Sequence, residues 1–143
     1  MAAVQARIES KLEVQSYLQG LRYALNNNAE ISFQIERRVD RNRDARHTNR
    51  FTVADLFPEE DPKEALKREL QTLTVEEYLR TVKDPRFPKR SDMREFGKVY
   101  VGKGDVYIKI RVELLTVNGG HTTFVMSFHY AIIPFTPDMF PYR

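Results

Sequence analysis

Hydrophobic residues near the N-terminus recur at the spacing of an amphipathic helix. From Val4 to Leu25, apolar side chains fall three or four positions apart, most clearly at Val14, Leu18 and Leu21. This spacing places them on one face of a helix. Three consecutive Asn residues at 26–28 indicate where it ends, because Asn tolerates the left-handed conformation common at helix C-termini. We therefore expect a long N-terminal helix, forming an extension over residues 1–28.

The next part of the chain predicts one short strand and two short helices. Apolar and polar residues alternate over 31–35, which is typical of a strand. Residues 52–55 predict a short helical turn. Asp61 followed by Pro62 predicts a helix N-terminus, because Asp caps the first turn and proline fits the first helical position. That helix should run to about Leu70.

A third helix is predicted after Thr74. Thr74 and Glu77 form a capping-box pattern, in which each side chain hydrogen-bonds the other residue's backbone N–H group. The helix would carry Tyr78 and Arg80. Prolines at 85 and 88 would end it and mark a loop.

The last fifty residues predict a β meander. Segments 95–101, 106–117 and 122–133 are rich in β-branched and aromatic residues. Glycine-containing turns at 102–105 and 118–120 separate them. With the helices before them, these strands predict a single α+β domain over residues 1–143, in which helices cover one face of a small antiparallel sheet.

Strand alternation sorts the meander into an apolar face and a polar face. Val106, Ile108 and Ile110 fall on one face, and Tyr107, Lys109 and Arg111 on the other. A three-residue loop at the second turn pairs His129 with Tyr107 or places it diagonally, whereas Phe124, Met126 and Phe128 join the apolar face. Pairing Tyr100 with Tyr107 at the first turn adds Arg94 and Lys98 to the polar face.

Charge is unevenly distributed along the chain. The sequence has 23 basic and 20 acidic side chains, giving a net charge of +3. Residues 37–50 hold six Arg against two Asp, and residues 83–111 hold nine basic side chains against four acidic ones. These blocks predict a surface for a polyanion such as RNA. The alternative is a solvated loop and an idle basic face.

The composition excludes several classes of protein and site. There is no Cys, so thiolate metal sites, disulfides and cysteine nucleophiles are excluded. The three His residues match no zinc-binding spacing, and we expect no cofactor. No apolar run approaches the ~18 residues of a membrane span, and the N-terminus lacks a secretory pattern. We expect a cytoplasmic protein without a membrane partner.

The predicted polar face carries groups suited to cleaving RNA without a metal. In that reaction the 2′-hydroxyl attacks the adjacent phosphate, which requires proton transfers and cations around the phosphate. His129 is the natural proton donor, Arg80 and Arg94 suit the phosphate, and Tyr107 can position the substrate. Flanking phosphates would bind at three further basic residues, Lys98, Lys109 and Arg111. No carboxylate is clearly placed as the base, although Glu77 and Glu95 are candidates.

Four segments of the chain resemble the MqsR-like toxins of the RelE/ParE superfamily in their order and spacing. They are Leu73–Arg80, Phe96–Lys98, Val106–Ile110 and Val125–His129. The resemblance implies an α+β toxin of a type II toxin–antitoxin system that cleaves mRNA and is neutralised by a cognate antitoxin. It also implies functional positions at Arg80, Arg94, Tyr107 and His129. His129 and Arg80 stand where the best-known member has Lys, and Arg94 where it has Gln.

Two other functions fit the same residues. A RelE/ParE-like module can grip nucleic acid or protein without cutting it, and the missing general base favours this alternative. A toxin that attacks a protein would leave RNA intact. Shortening of RNA separates the nuclease from both.

Overall fold

A six-stranded mixed sheet organises the computed structural model. The structure describes residues 5–27, 30–36, 42–114 and 121–143. The strands run in the order β1 (Gln5–Arg7), β3 (Tyr78–Lys83), β4 (Met93–Tyr100), β5 (Gly104–Leu114), β6 (His121–Tyr130) and β2 (Glu30–Phe33). All neighbours pair antiparallel except β2 and β6, which are parallel. The predicted α+β class is confirmed, but the predicted antiparallel sheet was wrong, because β2 is parallel to β6.

The N-terminal helix begins later than the apolar spacing predicted. Helix α1 spans Lys11–Asn26 and starts at a capping box formed by Ser10 and Glu13. Strand β1 precedes it and pairs with β3, so this part of the predicted helix was wrong. Val4, the predicted start, lies outside the described residues. Within them, the N-terminal segment therefore contributes a strand to the sheet before the helix begins.

Two further helices cover the segments for which the sequence predicted a helical turn and a helix, although the first begins before the predicted turn at 52–55. Helix α2 spans Asn49–Leu56, and helix α3 spans Pro62–Leu70 with Asp61 capping its first turn. The apolar faces of all three helices pack on the same side of the sheet, against Phe96, Ile108 and Phe128 among others. This layer is the core of the described fold.

The prediction of a helix after Thr74 was wrong. The capping box of Thr74 and Glu77 is present, but it closes only a 3₁₀ turn at Val75–Glu77. The chain then enters β3, in which Tyr78 and Thr81 are fully buried. Pairing with β4 gives these residues a buried face, which outweighs the local helix signal. Arg80 consequently lies on a strand.

Of the two predicted placements of His129 in strand β6, opposite Tyr107 of strand β5 or diagonal to it, the structure has the first. A β-bulge between Lys109 and Ile110 then shifts the register, so that Val125 lies opposite Ile110 and Phe124 opposite Arg111. A bulge adds one residue to one strand and exchanges the faces beyond it. The predicted faces of Val125 and Phe124 were therefore wrong. The predicted turn at 118–120 lies outside the described residues.

The register of β4 against β5 also differs from the prediction. Tyr100 pairs with Gly104 rather than with Tyr107, across a turn in which Gly102 has a φ of 80°. Only glycine adopts this conformation without strain. The result places Lys98 opposite Val106 and Arg94 opposite Ile110. Both cations are therefore on the helix side, and the predicted face was wrong for each.

Candidate functional site

A cavity of about 710 Å³ lies against the sheet face opposite the helices. Strands β3 to β6 form its floor. Five side chains on that floor can take part in acid–base or anion chemistry: Arg80, Glu95, Tyr107, Lys109 and His129. Four of these were predicted as site residues, and the structure brings them together.

Strand pairing fixes how these side chains are arranged. Arg80 pairs with Glu95, Glu95 with Lys109, and Lys109 with Ser127, which makes one row across four strands. Tyr107 and His129 pair in the neighbouring row. Directly paired residues on one face of a sheet have closely spaced Cβ atoms. Glu95 on β4 and His129 on β6 therefore project from strands that are separated by β5 alone. Those two strands lie about 10 Å apart.

Glu95 is the functional candidate for which sequence reasoning found no clear role. Its side chain is buried, and its Oε1 accepts a hydrogen bond of 2.8 Å from Nε of Arg80. That hydrogen bond raises the pKa of Arg80 above its usual value. The predicted register placed Glu95 on the face opposite Tyr107. With a three-residue turn at Gly102, strand alternation alone would have placed Glu95 on the same face as Lys109.

His129 is held in a defined orientation on β6. Its Nδ1 lies 2.9 Å from the carbonyl oxygen of Tyr130, and its ring centroid is 5.4 Å from that of Tyr107. A carbonyl only accepts hydrogen bonds, so Nδ1 carries the hydrogen. Nε2 is then the ring nitrogen at which a proton can be exchanged. The residue is only 5% exposed, so contacts within the protein hold the ring in place.

Arg94 belongs to a different cluster. Its guanidinium donates to both carboxylate oxygens of Glu9, at 2.8 and 3.3 Å, and lies 4.4 Å from the ring centroid of Tyr17. Thr81 also donates to Glu9. Burial acts to raise the pKa of Glu9, but the hydrogen bonds from Arg94 and Thr81 outweigh it and lower that pKa. Arg94 thus compensates a buried carboxylate on the helix side.

Lys98 and Arg111 do not line the cavity either. Lys98 Nζ lies 3.3 Å from a carboxylate oxygen of Glu77, on the helix side of the sheet. Arg111 projects on the same face as Lys109 but stacks on Phe124, with its guanidinium carbon 4.6 Å from the ring centroid. Of the three basic residues predicted to hold flanking phosphates, Lys109 alone contributes to the cavity lining.

Taken together, the residues that line the cavity form a basic part and an apolar wall. Arg43, Arg80 and Lys109 are cations, and Glu95 is the carboxylate among the lining residues. The wall comes from Ile8, Leu79 and the segment after β6, which contributes Ala131, Ile132, Ile133, Phe135 and Met139. Phe135 packs directly on Gly97, where a Cβ atom would come within 2.7 Å of its ring.

Among the residues that the structure describes, no group of three or more His, Asp or Glu side chains is placed to hold a metal ion. None of the helices in this part of the chain is long and apolar enough to cross a membrane.

Comparison with known proteins identifies no family. No protein-family model matches the chain, and neither the curated proteins nor the solved structures include a significant match. The resemblance to MqsR-like toxins therefore stays a prediction from the residues.

The lowered pKa of Glu9 makes stability depend on pH in a defined direction. A carboxylate whose pKa is lower in the folded state stabilises the fold above its unfolded pKa of about 4.3, and this stabilisation is lost as pH falls through the folded value. We expect Glu9→Gln to weaken the fold at pH 7 by roughly 3 kcal/mol, because Arg94 loses its partner. The substitution should also reduce the loss of stability below about pH 4.3.

Urea denaturation at pH 7, 5, 4 and 3 checks this expectation. Glu59→Gln is the matched control, since Glu59 is exposed. Equal pH dependence of the Glu9 variant and the wild-type protein would contradict the assigned role of the Glu9–Arg94 pair.

Proposed function

We propose that the protein is a metal-independent endoribonuclease and that the cavity over β3–β6 is its active site. The observation that carries the proposal is the presence of a buried carboxylate, Glu95, and an oriented imidazole, His129, on one basic cavity floor. Such a pair supplies both proton transfers that phosphodiester cleavage needs. It also supplies a general base, for which the sequence offered Glu95 only as one of two candidates.

In the proposed reaction, Glu95 takes the proton from the ribose 2′-hydroxyl. The 2′-oxygen then forms a bond to phosphorus while the bond from phosphorus to the 5′-oxygen breaks. Nε2 of His129 gives its proton to the departing 5′-oxygen. The products are a 2′,3′-cyclic phosphate and a 5′-hydroxyl, and both catalytic groups end in the protonation state opposite to their starting one.

The cations stabilise the charge that develops on the phosphate. Arg80 uses Nε for Glu95, so its two remaining guanidinium nitrogens are suited to the phosphate oxygens. Lys109 lies between Glu95 and Ser127 in the same row and adds a second positive charge. Tyr107 lies beside His129 and can donate a hydrogen bond to the substrate. In this proposal Arg94 has no contact with the reacting atoms.

The biological setting that we propose follows from the resemblance. It is a type II toxin–antitoxin system in the cytoplasm, with mRNA as substrate, free or on the ribosome, and an antitoxin protein as inhibitor. The net positive lining of the cavity supports an acidic inhibitor surface.

A non-catalytic RNA-binding module is the second candidate, and one observation favours it. Glu95 is already ion-paired with Arg80 at 2.8 Å, which compensates its charge in the absence of substrate. A purely structural role for this pair would leave a basic cavity that binds RNA without cleaving it.

Substitution of the two proposed catalytic groups should have different consequences for a modified substrate. We expect His129→Asn and Glu95→Gln each to lower the rate constant for cleavage of ordinary RNA by about 10²–10⁴-fold. An RNA with sulfur in place of the leaving 5′-oxygen needs no proton donor, because a thiolate leaves readily. It should restore cleavage by His129→Asn but not by Glu95→Gln.

Single-turnover cleavage of both substrates in EDTA measures this difference. His129→Asn keeps an N–H group for the carbonyl oxygen of Tyr130, so we expect the fold to stay intact. Thermal melting of the variant checks this. Unchanged cleavage by either variant would contradict the assigned chemistry. Binding of RNA by the wild-type protein without shortening would favour the second candidate.

The salt dependence of RNA binding should distinguish Lys109 on the cavity floor from Lys98 on the helix side of the sheet. Lys109→Ala should weaken RNA binding and reduce the slope of log K against log salt by about one, because one phosphate contact is lost. Lys98→Ala is the matched control and should leave the slope unchanged, because Lys98 lies with Glu77 on the helix side. Fluorescence anisotropy with labelled single-stranded RNA measures both, and an equal effect of the two substitutions would contradict this placement.

A further inference from the structure

The apolar wall of the cavity is more exposed than its packing requires. Ile132 and Ile133 are 54% and 70% exposed, and Ile8 and Met139 are also exposed. All four line the same cavity as the basic floor. A folded protein gains little by holding several large aliphatic groups in water around a charged site, so a ligand with an apolar part is the natural partner.

The segment that carries Ile132 and Ile133 is fixed at both ends. The backbone N–H of Ala131 donates to the carbonyl oxygen of Asp105 at 2.9 Å, and that of Phe135 donates to Oδ2 of Asp105 at 3.0 Å. Phe135 is held further by its contact with Gly97 and its edge-to-face contact with Phe140. Asp105 thus holds both ends of a short loop, which we call the 131–135 loop, and residues of this loop line the cavity.

The size of the cavity shows that a phosphate alone would leave it mostly empty. Its volume of about 710 Å³ is within the range of sites that hold whole small molecules. Arg80 and Lys109 lie on the strands of the floor, whereas Ile132 and Ile133 lie on the loop after β6. A ligand that fills the space therefore carries an anion at one end and a flat or apolar group at the other.

We propose that the 131–135 loop is a nucleobase-binding wall, and that the cavity holds a nucleotide with its phosphate on the strand floor and its base against Ile132 and Ile133. This inference rests on the proposed function, which places an RNA phosphate on the floor, and it extends it by assigning recognition of the adjacent base to this loop. Ile132 and Ile133 are then specificity-determining residues, and Asp105 is a positioning residue. Cleavage of the phosphodiester bond does not depend on any of these three residues.

The expected contribution of the wall is measurable. Covering about 60 Å² of apolar surface corresponds to about a ten-fold change in affinity. Uridine or adenosine 5′-monophosphate should therefore bind at least ten-fold more tightly than ribose 5-phosphate, which carries the phosphate on the same carbon but has no base. The preference between the two nucleotides reports the specificity of the wall.

NMR titration of the full chain with the two nucleotides, ribose 5-phosphate and inorganic phosphate measures these affinities. The double substitution Ile132→Ser and Ile133→Ser should lower the ratio of nucleotide to ribose 5-phosphate affinity below about three-fold and leave phosphate binding unchanged. Val101→Ser is the matched control, because Val101 is an aliphatic residue that is 96% exposed and lies outside the cavity. It should retain the full ratio.

Three results would overturn the inference. They are a ratio near one in the wild-type protein, an unchanged ratio in the double variant, and no binding of any of the four probes. A ratio near one would be expected if the wall instead receives an apolar side chain of a partner protein. A base-dependent affinity without RNA cleavage would support the wall and contradict the nuclease, whereas cleavage without a base-dependent affinity would do the reverse.

Discussion

The three-residue turn between β4 and β5 sets the arrangement of charge on which the candidate site depends. Gly102 takes a φ of 80° there, and Tyr100 pairs with Gly104 as a result. Because side chains alternate between the two faces of a strand, a register shifted by one residue would exchange every side chain of β4. Glu95 would then leave the cavity and Arg94 would enter it.

This register separates two buried carboxylates that have different surroundings. Glu9 and Arg94 lie on the helix side, where Thr81 adds a further hydrogen bond to the carboxylate. Glu95 and Arg80 lie on the cavity side, where the arginine side chain is about half exposed. The first pair is enclosed and supports packing. The second lies at a cavity that a ligand can enter, which is why we assign chemistry to Glu95 and a structural role to Glu9.

Local signals predicted part of the fold well. The Asp61-Pro62 start of α3 and the pairing of Tyr107 with His129 follow from residues close in the chain or from simple alternation. The strand at Tyr78 could not be predicted in this way, because its capping box is real and only pairing with β4 makes the following residues extended. The bulge beside Lys109 has no local signal that alternation would reveal.

The same limits decided how much of the site was predictable. Tyr107, Lys109 and His129 were placed on the correct face, because all three lie in the part of the β5–β6 pairing that the bulge does not shift. Arg80 was predicted as a site residue, but it was expected on a helix and lies on a strand. Glu95 and the wall at Ile132 and Ile133 depend on the other hairpin and on the path of the chain after β6, and neither is encoded in local periodicity.

The most direct test of the account is to identify the ends of RNA fragments made by the purified protein in EDTA. End-labelled single-stranded RNA is incubated with the wild-type protein, and the products are treated with a phosphatase before and after acid opening of cyclic phosphates. The account predicts 2′,3′-cyclic phosphate and 5′-hydroxyl ends. Intact RNA, both alone and on translating ribosomes, or fragments with 5′-phosphate ends, would contradict it.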